Sequence, residues 1–115
     1  MTDTKPALPK ATEVTMWKKP ACVQCMGATL HFKSKKITPA IKELFDEANA
    51  DALAAFKANG IMQAPILQFP DVYDGDELVF EAQTVTGNRV DVIDDYAAAI
   101  AKVAARAEER ELALV

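Results

Sequence analysis

The residues of this chain best equipped for chemistry are its only two cysteines, which stand three positions apart as Cys22-Val23-Gln24-Cys25. On a helix, positions i and i+3 share a face, and their Cα spacing suits the roughly 4.4–6.8 Å that a disulfide accepts. A first cysteine at the helix start meets unpaired backbone N–H groups and the positive end of the macrodipole, and both favour thiolate over thiol. Lys19 adds a nearby cation. The second cysteine lies one turn inside and is expected to be the more buried of the two. That asymmetry assigns Cys22 as the attacking nucleophile and Cys25 as the resolving cysteine of a reversible dithiol. The plainer alternative is a pair of inert core cysteines.

Metal binding and secreted disulfide scaffolding fit less well. Four-ligand zinc needs about twice what one such motif supplies, and the single histidine, His31, does not complete the set within one chain. No metal site is expected. A disulfide-dense scaffold needs more cysteines, spread along the chain. Two chains pooling four thiols around zinc or an iron–sulfur cluster is the non-catalytic alternative.

The elements that would position the dithiol read as follows. Residues 1–11 are polar with two prolines, a flexible leader, and residues 12–115 are expected to form one domain. Thr12 to Trp17 alternates like a short strand, and Lys18 to Ala21 is a turn containing Pro20. A helix is predicted from Cys22 or Val23 to about Lys36, with Lys33, Lys35 and Lys36 in its last turn. The stretch from Ile37 to Phe45 is ambiguous between helix and strand. A clearer helix runs from about Asn49 or Asp51 to Gly60. The apolar runs Ile66 to Phe69 and Leu78 to Gln83, separated by a turn-rich loop, suggest a hairpin. Gly87-Asn88-Arg89 breaks the pattern, and a long helix follows from about Val90 to Glu109 or beyond.

Composition bounds the class. The chain has 115 residues, half of them hydrophobic and 26% charged, with a formal net charge of −4. That is ordinary globular composition, and an acidic balance argues against nucleic acid as a partner. No apolar run approaches the roughly 20 residues of a membrane span. The expectation is a cytoplasmic monomer with no membrane partner.

The segment Lys19-Pro20-Ala21-Cys22-Val23-Gln24-Cys25, followed by Ala28-Thr29, resembles the active-site segment of the NrdH-redoxins, small glutaredoxin-like proteins of the thioredoxin superfamily. Gln63-Ala64-Pro65-Ile66 is similar to that family's Gln-Ala-Pro-Val loop, and Gly87-Asn88-Arg89-Val90-Asp91 falls where its Gly-Phe-Arg-Pro-Asp segment lies. The resemblance spans about Glu13 to Ala101. It implies an α/β, thioredoxin-like (glutaredoxin-type) fold: a four-stranded mixed sheet with three flanking helices and an extended C-terminal helix. It also implies a parallel strand near Ile37 to Leu44, against local propensity. It further implies a redox-active Cys22–Cys25 disulfide and a cis-proline at Pro65, the alternative being a trans proline in an ordinary loop. A cis bond there would expose the backbone of Ala64 to an extended substrate. Lys19, Gln24, Ala64, Pro65 and Gly87 become the candidate partner-binding residues, although Gln24 reads equally as a solvated polar residue.

The activity implied is thiol–disulfide exchange in an electron carrier that reduces protein disulfides, with ribonucleotide reductase as acceptor. No cofactor is bound; reducing equivalents come from NADPH through thioredoxin reductase. A glutathione-dependent glutaredoxin is the alternative, but the chain lacks a clear Thr-Val-Pro and Gly-Gly-x-Asp-Asp pattern for glutathione. The chain also departs from the family: Lys18 replaces a threonine, and a Trp-Ser-Gly-Phe-Arg-Pro segment is reduced to Val85-Thr86-Gly87-Asn88-Arg89-Val90. The 70–77 loop and the last helix are longer. Among other residues, His31 reads as surface and Trp17 as core or a neighbour of the dithiol. The lysines 18, 19, 33, 35 and 36 read as a solvated face or a patch for an acidic partner. The tail from Arg106 to Val115 is expected to fray or to pack on a second chain.

Overall fold

The computed structural model describes residues 6–113. Strand β1 (Thr15–Lys18) leads into helix α1 (Val23–Ser34), then β2 (Ala40–Glu43), a short 3-10 turn (Glu47–Asn49) and α2 (Ala50–Ala58). Strands β3 (Ile66–Phe69), β4 (Val72–Asp74), β5 (Glu77–Phe80) and β6 (Gln83–Thr86) follow, and α3 (Val90–Ala113) closes the described chain. One sheet has the order β2-β1-β3-β6, with β1 parallel to β2 and antiparallel to β3, and β3 antiparallel to β6. This is a mixed α/β architecture with a four-stranded mixed sheet and, among the described residues, three α-helices, the last one long.

The strand pleat sorts the core into two faces. Met16, Leu67 and Phe69 point to the side where Ala28 and Phe32 of α1 meet Val92, Ile93 and Tyr96 of α3. Trp17 and Ile66 point to the other side, against Phe56 of α2. All four residues of β3 are buried, as expected of a central strand covered on both faces, whereas β2 and β6 are the edges. Trp17 is therefore a core residue: its ring meets Phe56 edge-on at 5.3 Å, and its Nε1–H donates to Gln68 Oε1 at 2.9 Å.

Three expectations need correction. The apolar runs 66–69 and 78–83 do not pair with each other. Strand β3 pairs instead with Gln83–Thr86, and β4 and β5 form a separate two-stranded hairpin turned at Gly75, whose φ is +63°. The Ala82 N–H donates to Asp71 Oδ1 at 2.6 Å, which pins the base of this excursion and returns the chain to the sheet at β6. The expected strand from Ile37 to Leu44 shrinks to Ala40–Glu43, because Ile37 is used to close α1. The tail is helical to Ala113 and tied to the hairpin, where Arg106 and Arg110 both donate to the Asp74 carboxylate, the latter at 2.6 Å. These guanidinium groups, Arg106 foremost, hold the Asp74 carboxyl below the usual carboxylate range. Leu114 and Val115 lie outside the described residues, as do the first five residues of the leader. The rest of the leader lies along the domain: Leu8 packs by the Trp17 cluster, and Pro9 O accepts from Gln68 Nε2 at 2.7 Å.

Helices α1 and α2 end in the same motif with different residues. After α2, Gly60 takes a left-handed φ of +76°, with Gly60 N–H donating to Lys57 O and Ile61 N–H to Phe56 O. After α1, Lys36 takes φ +59°, with Lys36 N–H donating to Lys33 O and Ile37 N–H to Phe32 O. This is the Schellman arrangement, which favours glycine. A left-handed backbone costs a residue bearing Cβ about 1–2 kcal/mol, and glycine's freedom in the unfolded chain returns about 0.4–1 kcal/mol of that. Lys36→Gly is therefore expected to stabilise the fold by about 0.5–1 kcal/mol. Urea denaturation should show a raised midpoint at unchanged slope; a lowered midpoint would refute the assignment.

Candidate active site at the start of the first helix

Strand β1 delivers the chain to the end of the sheet where β3 begins and β6 ends, since Trp17 is in register with Ile66 and Ile66 with Thr86. Cys22 after β1, Pro65 before β3 and Gly87 after β6 therefore gather at one sheet end. Ala21, immediately before Cys22, has φ +53°. Such a backbone is strained for a residue with a Cβ, by an amount of order 1–3 kcal/mol, and strain of this kind tends to concentrate at functional sites.

Cys22 is the N-cap of α1, with extended backbone. Its Sγ is bonded to that of Cys25, with the two Cα atoms 5.2 Å apart. The Cys25 N–H donates to Cys22 Sγ at 3.1 Å, so one of the helix's unpaired donors already faces the sulfur. No acidic residue occupies the first turn of α1 to oppose a negative charge there. The two cysteines are similarly buried, 7% and 4% exposed. Burial hardly separates them; position at the helix end does. A cleft of about 370 Å³ opens on the pair and is lined also by Lys19, Pro20, Met26 and Thr29. The Lys18 ammonium, at the same mouth, is 3.4 Å from the Glu43 carboxylate.

The remaining candidates join through a chain of contacts on the far side of the helix start. The Ala64–Pro65 peptide bond is cis; Pro65 is buried and Ala64 half-buried. Pro65 O accepts from the Gly87 N–H at 2.8 Å. Gly87 has φ +84°, and a Cβ there would stand 2.9 Å from Gln24 Oε1. Gln24 Oε1 in turn accepts from the Asn88 N–H at 3.3 Å. Gln24 is exposed, yet its amide rests on this loop. Lys19 and the two cysteines thus share one cleft, while Gln24, Gly87 and Pro65 form a linked wall beside it.

Asn88 and Met26 are the site neighbours that sequence reasoning did not single out. Asn88 Nδ2 would stand 2.9 Å from a Cβ added at Gly27, so the missing side chain at Gly27 leaves room for the Asn88 amide. A glycine inside a helical segment was the available signal. His31 lies away from the dithiol, partly buried, with Nε2 2.7 Å from Asp94 Oδ1. That contact, together with Lys35, holds the Asp94 carboxyl below its usual range and ties α1 to α3.

No family model matches the chain, and no curated protein matches it at a significant level. Among the described residues, no group of three or more His, Cys, Asp or Glu side chains is arranged to hold a metal ion. Nor is any helix among them long and apolar enough to cross a membrane. A close cysteine pair that forms a disulfide is compatible with redox activity.

Proposed function

We propose that this chain is a thiol–disulfide oxidoreductase with a thioredoxin-like fold, an electron carrier of the NrdH-redoxin type that reduces protein disulfides. The observation that carries this reading is the Cys22–Cys25 disulfide at the start of α1, with the Cys25 N–H aimed at Cys22 Sγ. In the reduced protein, that N–H and the helix end favour a Cys22 thiolate. The thiolate attacks one sulfur of a partner disulfide, the partner S–S bond breaks, and the other partner sulfur leaves as a thiolate that takes up a proton. Cys25, one turn away, loses its proton and attacks Cys22 Sγ. The mixed disulfide breaks, the second partner thiol departs, and the Cys22–Cys25 bond forms. Two electrons pass to the partner.

Ribonucleotide reductase is the proposed acceptor, and thioredoxin reductase with NADPH the proposed source of electrons, in a cytoplasmic setting. Lys19, Ala64, Pro65 and Gly87 would frame the partner segment, with Gln24 holding the Gly87 loop. The family's aromatic positions have other uses in this chain. Val85 is in register with Leu67 and packs by the main core, and Asn88 rests on Gly27. Aromatic anchors carry much interface energy. Their loss should raise the apparent KM for a reductase more than it lowers kcat.

Hydroxyethyl disulfide and NADPH test the reading in two cycles, one with thioredoxin reductase and one with glutathione and its reductase. NADPH consumption dependent on this chain is expected in the first cycle. Turnover with glutathione alone would replace the assignment with a glutathione-dependent glutaredoxin. No turnover in either, with metal or colour in the purified protein, would favour the metal-binding alternative.

A further inference from the structure

The cleft at the dithiol does not end at the cysteines. Thr29, which lines it, also lines a second cleft of about 530 Å³ between α1 and the edge strand β2, together with Ile37, Pro39 and Ile41. The two clefts adjoin at Thr29, and together they make the α1–β2 groove. Its apolar surface is open: Met26 is 66% exposed and Ile41 46%.

Charge along this groove is one-sided. Lys18 and Lys19 stand at the dithiol end, and Lys33 and Lys36 line the far end. Glu43 is the acidic residue lining it, and it is engaged by Lys18. Among the described residues, no ion pair joins Lys19, Lys33 or Lys36. The whole chain carries a net charge of −4, so this basic strip runs against its average.

The backbone beside the groove suits an extended occupant. Ala40 N–H donates inward to Val14 O, and Leu44 N–H to Lys18 O. By strand alternation, the N–H and C=O groups of Ile41 face outward along the sheet edge, where no strand pairs with β2 among the described residues; the Glu43 carbonyl beyond it is taken by the Asp46 N–H and Asn49 Nδ2.

We propose that the α1–β2 groove binds an extended segment of the disulfide-bearing partner, with apolar residues against Met26 and Ile41 and carboxylates against Lys33 and Lys36. This rests on the proposed dithiol function and adds the chemistry of its substrate: an acidic, apolar stretch adjoining the partner cysteine. Electrostatic attraction of this kind chiefly speeds encounter and weakens with salt.

Three peptides of equal length test it. Each carries one cysteine as its mixed disulfide with thionitrobenzoate, followed by leucines and isoleucines alternating with glutamates, lysines or glutamines. Attack by reduced protein releases the coloured thiolate, which gives the rate. The glutamate peptide is expected to react about tenfold faster than the lysine peptide at low ionic strength. That preference should collapse in about 0.5 M salt. In the double variant Lys33→Glu/Lys36→Glu it should reverse. Equal rates for the glutamate and lysine peptides, or the same ratio in wild type and variant, would overturn the groove assignment while leaving the dithiol reading intact. Inertness of all three would overturn the dithiol reading itself. A salt-insensitive dimer in sedimentation velocity, lost in Ile41→Asp, would overturn the proposal in favour of a second copy of the chain.

Discussion

Cys22→Ser should lower disulfide reduction by a factor on the order of 10³ or more, whereas Cys25→Ser should complete the first exchange and stop at a mixed disulfide. The difference follows from position rather than exposure, since the two cysteines are almost equally buried. A serine hydroxyl at 22 stays protonated near neutral pH and is a poor nucleophile toward sulfur, even with the Cys25 N–H beside it. A serine at 25 leaves that N–H, the helix end and the Cys22 sulfur in place. What it removes is the second thiol, whose Cα lies 5.2 Å from that of Cys22. Intact-mass analysis after incubation with a disulfide-bearing protein should find one covalent partner per Cys25→Ser chain, released by dithiothreitol. The Cys22→Ser chain should carry none. Adducts on the Cys22→Ser protein, or alkylation of Cys25 before Cys22 at mildly acidic pH, would invert the two roles.

The legible part of this chain is the part whose physics is local. Two cysteines at i and i+3, a proline turn before them and a run of helix formers after them lie within about fifteen residues. The helix start falls at Cys22 accordingly. Pairing across the chain was harder to read. Ile66–Phe69 meets Gln83–Thr86 only because the intervening hairpin is folded back and pinned by Asp71 to Ala82, and nothing in Leu78–Gln83 by itself says which strand it joins. The β-branched residues Thr84, Val85 and Thr86 carry strand propensity, but the apolar run that reads as a strand stops at Gln83, just before them. Long-range side-chain contacts were equally hidden. Gln68 holds Pro9 across 59 positions and Gln24 meets Asn88 across 64, each through a single amide that composition does not mark. Even the tail's partner, Asp74, reads in sequence as one more acid in a turn. Its side chain is only 4% exposed once Arg106 and Arg110 close over it.

Phe32→Ala should destabilise the fold by about 3–5 kcal/mol while leaving the chemistry of the folded fraction nearly intact. Phe32 has no exposed surface and sits where α1, the sheet and α3 converge, its ring centroid 6.1 Å from that of Phe69. It also supplies the carbonyl that receives the Ile37 N–H at the end of α1, so packing and helix termination meet at one residue. Alanine keeps the carbonyl and the helix propensity but leaves a void that the rigid surroundings of Met16, Leu67 and Ile93 fill only in part. Domains of this size hold about 5–15 kcal/mol in total, so the loss is a large share, worth roughly 10–20 °C in melting temperature. Yet Cys22 lies ten positions earlier, at the other end of α1, and its contacts are with the helix start and the sheet end rather than with Phe32. Thermal unfolding and peptide-disulfide reduction, measured on the same preparation well below the new midpoint, separate scaffold from chemistry. A steep loss of rate in protein that is still folded by circular dichroism would mean that the Phe32 core sets the dithiol geometry. An unchanged melting temperature would mean that α1 is held to the sheet by something other than this core.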